Sequence, residues 1–265
     1  MKRTKVKHLI FISLFILFLP LLVFAQNNSF PEIDKYFSIK EKAIFEHALE
    51  YQNAFYNKIF PDVNVDLSEI KISVITDVKY FGDLAVLPVI KKSSGFYSPV
   101  DRELVIIKTE KMKHAFMETA IHELSHALLH LYSEFQFNHI PPWLNEGIAV
   151  YLSGMSYSSK KMVHKKNDYL IARVKTLIEL RDLDLASFVN WGHQKFTKES
   201  FSQEGYGYAV GYCIVLFLMK KDEKYAYTLF RSLIEKSDKP TTEIFDNYYD
   251  GGFSKFEKDF ILFFR

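Results

Sequence analysis

Apolar and polar positions follow two rhythms along the chain, one helical and one extended. Between residues 30 and 60, Ile39, Ala43, Ile44, Ala48, Tyr51, Phe55 and Ile59 recur at helical spacing, predicting helix up to a stop at Pro61-Asp62. Ile70-Lys71-Ile72-Ser73-Val74-Ile75 alternates and is β-branched, which predicts a strand. Residues 79–87 fit neither rhythm. Residues 93–98 and 103–108 predict two further strands, joined by a turn at Pro99-Val100-Asp101. From Ala115 to Leu131 the apolar positions (Phe116, Ala120, Ile121, Leu124, Leu128 among them) run almost all round a helix, the mark of a buried one. A second short, mostly apolar helix is expected over the stretch 141–151, with Pro141-Pro142 at its start. Beyond Tyr151 the pattern predicts helix throughout. A lysine-rich, solvated connector (Lys160, Lys161, Lys165, Lys166) precedes a helix over about 168–180, and a short packed element follows at 185–191. Gly205-Tyr206-Gly207-Tyr208 leads into an apolar helix ending near Met219, and short helices are expected over 225–235, 241–249 and 253–264.

The N-terminus is of a different kind. Met1 to Lys7 holds four positive charges, an apolar run of about sixteen residues reaches Phe24, and Val23-Phe24-Ala25 precedes Gln26. A basic region, an apolar run and a small-residue cleavage site make up a secretory signal peptide, with cleavage expected after Ala25. The alternative is an uncleaved membrane anchor, although the run is shorter than the about twenty residues of a full span. Without residues 1–25 the balance is 30 Lys+Arg against 32 Asp+Glu, because the leader holds four of the 34 basic residues and none of the 32 acidic ones. The apparent basicity therefore belongs to the leader. No basic face or base-stacking module points to nucleic acid. Cys213 is the only cysteine, so no internal disulfide forms, and its apolar helix marks it as a small core residue. The remaining 240 or so residues suffice for one domain, here expected as an N-lobe over about 26–131 and a C-lobe over about 132–265.

The chemistry concentrates in His122-Glu123-Leu124-Ser125-His126, on the buried helix. Helix positions four apart share a face, so His122 and His126 can direct both imidazoles at one point. Two neutral imidazoles suit zinc, which binds nitrogen at about 2.0–2.1 Å. Glu123 sits about 100° further round the helix, where it can reach a water on the ion. Buried and without a metal, these three polar side chains would be costly. A catalytic zinc takes three protein ligands. Glu146, twenty positions after His126 in Trp143-Leu144-Asn145-Glu146-Gly147-Ile148-Ala149, is the expected third.

These two segments resemble the gluzincin superfamily of zinc metallopeptidases, the second being similar to the Trp-Leu-Asn-Glu-Gly stretch of its aminopeptidases. The resemblance is strong over residues 115–151 and architectural elsewhere. It implies one zinc per chain on His122, His126 and Glu146, with Glu123 as general base, acting on a peptide or protein substrate. It also implies a zincin-like α+β fold, in which a small mixed sheet precedes the buried active-site helix and the helical C-lobe follows it. The Gly-x-Met-Glu-Asn motif that grips a substrate amino terminus is absent, so the chain looks more like compact bacterial members with a lone peptidase domain, acting as secreted or periplasmic proteins. In such folds an edge strand binds the substrate backbone as an added strand. Here the candidate edge is 95–98, with an ordinary hairpin strand as the alternative.

Attack on an amide builds charge on the carbonyl oxygen, which gluzincins commonly meet with a Tyr or His of the helical lobe. Among sixteen tyrosines, Tyr208 is the first choice, with Tyr212 and Tyr206 behind it. His130, one turn past His126, suits a core or C-terminal capping role. His114, His139, His164 and His193 fall in expected loops. Some gluzincins place an Asp one turn after the glutamate ligand to orient a histidine; here that position is Val150, and Glu118 is the possible substitute. A zinc-binding envelope protein without proteolytic activity is the alternative function, although such a site needs no Glu123.

Overall fold

A computed structural model describes residues 30–76, 94–109, 116–133, 139–158, 161–203 and 205–265. Residues 32–265 form one compact unit. The expected leader, residues 79–87 and His114 lie outside the described residues.

The fold is mixed α+β and mostly helical, with a small sheet. Helices α1 (Pro31–Tyr36) and α2 (Ile39–Ile59) replace the single helical run expected over 30–60. The break falls at Ser38 because its hydroxyl accepts from Glu41 N–H while the Glu41 carboxylate accepts from Ser38 N–H. That capping box starts a new helix there. Strands β1 (Lys71–Ile75), β2 (Gly95–Ser98) and β3 (Glu103–Ile107) form a sheet of order β1-β3-β2. β1 runs parallel to β3, with Ile72 opposite Leu104, and β2 runs antiparallel to it, with Phe96 opposite Val105. The central strand reads Leu104-Val105-Ile106-Ile107, all buried, as a strand covered on both faces should. The turn before it places Arg102 at φ 51°, a left-handed conformation that a hairpin corner demands.

Helix α3 (Phe116–Tyr132) lies between this sheet, α2 and α4 (Pro142–Ser153). It is pinned to α2 by two buried bonds: Gln52 Nε2 donates to the Ile121 carbonyl at 2.8 Å, and Tyr56 Oη meets Ser125 Oγ at 2.6 Å. Left unmade, each would cost about 1–3 kcal/mol, so they fix the rotation of α3. Pro142 opens α4 in its first turn, where no N–H is missed.

The chain after Tyr151 is not helical throughout. β4 (Met155–Ser158) and β5 (Lys161–His164) pair as an antiparallel hairpin where a solvated connector was expected, and His164 stands on a strand. His164 stacks on Tyr151 at 4.2 Å between ring centres, so packing anchors the hairpin's end. α5 (Asp168–Leu180) and α6 (Leu185–Phe188) follow as expected, but α7 (His193–Ser202) is an additional helix that includes His193. α8 (Tyr206–Lys221) is apolar all round and buried over most of its length. α9 (Glu223–Glu235), α10 (Thr241–Tyr248) and α11 (Gly252–Phe264) complete the chain. Among the described residues no helix is long and apolar enough to cross a membrane.

The closest helix contact joins α4 to α8. A Cβ on Gly147 would stand 2.6 Å from the Gly211 carbonyl oxygen, and one on Gly211 would stand 2.6 Å from that of Trp143. Two glycines let these backbones touch, and Glu146 is next to one of them.

Candidate metal centre

α3 offers His122 and His126 on one face, and α4, crossing beside it, brings Glu146 to both. His122 Nε2 and His126 Nε2 are 3.1 Å apart; Glu146 Oε2 is 3.3 Å from the first and 3.6 Å from the second. Donor atoms at about 2.0–2.1 Å from a tetrahedral ion lie about 3.3–3.4 Å from one another. The three separations bracket that value. Two imidazole nitrogens and a carboxylate oxygen are therefore spaced as three corners of such an ion's shell, a donor set suited to zinc and other divalent transition ions.

Glu123 is close by: His122, Glu123 and His126 form a group whose ligand atoms lie within 4.8 Å of one another and could hold a metal. Its carboxylate is engaged from the sheet side, where Tyr97 N–H donates to Oε2 at 3.0 Å. Glu146 Oε2 lies within 3.6 Å of both imidazoles, and Glu123 stands beside that trio.

The electrostatics differ for the two carboxyl groups. Burial works to raise the pKa of Glu146, but His126 and His122 outweigh it and hold the carboxyl well below the usual range. Burial also lifts Glu123; the imidazoles offset it less, Glu146 adds to it, and the group ends above its ordinary value. The two carboxyl groups are thus shifted in opposite directions. For His126, burial pulls down while Glu146 pulls up, and the net direction is upward.

His126 Nδ1 lies 2.7 Å from Asn145 Oδ1. The amide oxygen can accept from Nδ1–H, which would leave Nε2 to meet a metal ion once any proton there is displaced. Asn145 is thus the partner of His126, while Glu118 lines a groove of about 970 Å³ with Lys40, Met117 and Lys166. Sequence reasoning passed over Asn145, although a buried amide in an otherwise apolar helix was a usable signal.

Of the three tyrosines, Tyr208 packs edge-on against Phe196 and is the one whose hydroxyl the charges of Glu146 and Glu123 affect. Burial raises its pKa and the charges of Glu146 and Glu123 raise it further, so its hydroxyl keeps its proton. Tyr212 Oη instead accepts from Asn167 N–H at 2.9 Å, and Tyr206 stacks on Trp191. His130 is buried near the end of α3 and meets Tyr97 Oη at 2.8 Å.

Compared with known families, the chain matches no family model. Comparison with curated proteins likewise finds no match.

Proposed function

We propose that the chain is a zinc-dependent peptidase of the gluzincin kind, with a zincin-like form of its α+β fold. The observation that carries this reading is the convergence of His122, His126 and Glu146 at tetrahedral spacing, with Glu123 beside them and outside the trio. His122, His126 and Glu146 would hold one zinc ion, which when bound acidifies a water and polarises the scissile carbonyl. Glu123 takes the proton of the attacking water and delivers it to the leaving amine. Burial raises its pKa, which suits a group that must both accept and release a proton. The Tyr97 N–H on Oε2 holds the carboxylate in one orientation. Tyr208 donates its hydroxyl hydrogen to the carbonyl oxygen as charge develops there. β2 is an edge strand of the described sheet, but it lies against α3 and its outward Tyr97 N–H is taken by Glu123, which favours the ordinary hairpin-strand reading of 95–98 over substrate addition there. The basic and apolar pattern of residues 1–25 in the sequence supports an activity outside the cytoplasm.

The test is cleavage of a peptide library by the zinc-loaded protein beside Glu123→Gln, read by mass spectrometry. Cleavage by the wild type, reduced about 10²–10⁴-fold in a variant that keeps its zinc, supports the reading. Equal and null activity in both favours a zinc-binding envelope protein that does not cleave.

A further inference from the structure

Tyr97 of β2 is held to α3 at two points. Its N–H donates to Glu123 Oε2 at 3.0 Å, and its hydroxyl lies 2.8 Å from His130 Nδ1, with the two rings edge-on at 5.8 Å. Glu123 and His130 are seven positions apart, about two turns and 10 Å of helix. A single tyrosine bridges that distance, backbone at one end and side chain at the other.

The register of the sheet explains the first point. Ile107 N–H donates to the Ser94 carbonyl, and Phe96 stands opposite Val105. In an antiparallel ladder alternate residues bond to the neighbour strand, so Gly95 and Tyr97 turn their backbone groups away from β3. Gly95 lets the strand lie close, because a Cβ there would meet Thr119 of α3 at 3.4 Å and the Val105 carbonyl at 2.6 Å. Charge sets the direction of the second bond. Burial and the nearby Arg102 hold His130 below its ordinary value, so its ring is neutral. Burial pushes Tyr97 up to about 12 against the pull of Arg102, so the phenol keeps its proton and donates it to Nδ1.

We propose that Tyr97 and His130 are positioning residues for the general base: their side-chain bond clamps β2 onto α3 and so holds the Tyr97 N–H against the Glu123 carboxylate. The proposal rests on the peptidase reading for its catalytic consequence and on geometry alone for the clamp. Neither side chain needs to touch the substrate. Loosening the clamp leaves the β2–β3 ladder intact, so its effect falls on proton transfer and not on substrate binding.

The experiment compares wild type, Tyr97→Phe, His130→Leu and His130→Asn, all zinc-loaded, by amide hydrogen exchange at Tyr97 and by kcat and KM on a cleaved peptide. Leu fills the buried site without a polar atom, whereas the Asn amide can occupy the place of Nδ1. The expected result is faster exchange at the Tyr97 amide in Tyr97→Phe and His130→Leu and near wild-type exchange in His130→Asn. In the first two, kcat falls about tenfold, with KM within about twofold and zinc content unchanged. The double variant Tyr97→Phe/His130→Leu is no worse than either single one, because both remove the same bond. Unchanged exchange at Tyr97 in both single variants overturns the clamp, as does a rise in KM at constant kcat. A wild type that exchanges as described but cleaves nothing overturns the peptidase reading while the clamp stands.

Discussion

Replacing Gly147 by Ala is a direct way to move Glu146 without touching it. The new methyl would stand 2.6 Å from the Gly211 carbonyl oxygen, 2.7 Å from its carbonyl carbon and 3.1 Å from Val215 Cγ2. The two nearest atoms are backbone of α8, so no side-chain rotation relieves them. Ordinary contact begins at 3.4 Å, so α4 and α8 must part by about 0.8 Å. Overpacking of this kind costs about 1–3 kcal/mol, and the better helix propensity of Ala returns about 1 kcal/mol. The net loss, about 0–2 kcal/mol, lowers Tm by up to about 8 °C in a domain of this size. The effect on the metal should be larger in proportion, because ligand distances tolerate only about 0.2 Å of error. Zinc affinity should fall about tenfold or more, and the stabilisation that zinc confers should shrink with it. Thermal melts with chelator and with excess zinc, together with competition against a chromophoric chelator, measure both quantities. Gly211→Ala attacks the same crossing from the other helix, 2.6 Å from the Trp143 carbonyl, and should behave alike. A Gly147→Ala protein with unchanged Tm and unchanged zinc affinity would refute the idea that this contact sets the position of Glu146.

Other expectations follow from single contacts. Asn145→Leu removes the partner of His126 Nδ1 and should weaken zinc binding about 10–100-fold, read by the same chelator competition. Tyr208→Phe should lower kcat about 10²–10³-fold with KM and zinc content near wild type; an unchanged kcat removes Tyr208 from the mechanism. His164 gives a pH dependence of stability. Burial, with Lys220 and Lys166 beside it, lowers its pKa to about 4, and Nε2 is buried with no hydrogen-bond partner among the described residues. The unfolded chain binds this proton below about 6.5 and the folded one only below about 4. The stability from His164 is therefore complete above about pH 6.5 and is lost as pH falls toward 4. It amounts to about 2–3 kcal/mol after allowance for the ring's partial exposure. Urea unfolding of the metal-free protein at pH 7 and pH 4.5 should show a smaller loss in His164→Phe than in wild type; equal losses contradict the assignment.

The juxtaposition of His122 and His126 was legible because it is local: four positions on a helix share a face whatever the rest of the chain does. Glu146 was legible for a weaker reason, an acidic residue in a short apolar helix at a distance that allows the chain to turn back. Its exact approach depends on Gly147 meeting Gly211, sixty-four positions later, which no local pattern expresses. Asn145 and the Tyr97 amide are a step further removed. Asn145 acts through the rotation of α4 against His126, and Tyr97 through the register of β2 on β3. The errors of element type share one cause. Residues 155–164 and α7 are rich in polar residues, so apolar periodicity had little to register, and tertiary contacts such as His164 on Tyr151 decided the outcome. At Ser38 a side-chain cap outweighed a continuous apolar rhythm.

The central claim is that His122, His126 and Glu146, and not Glu123, hold the metal. Zinc content after dialysis, measured on wild type, Glu146→Ala and Glu123→Gln side by side, tests it most directly. The account predicts about one zinc per chain in wild type and in Glu123→Gln, and little or none in Glu146→Ala. Zinc retained by Glu146→Ala and lost from Glu123→Gln would make Glu123 the third ligand and contradict the account, as would a folded wild type that takes up no zinc.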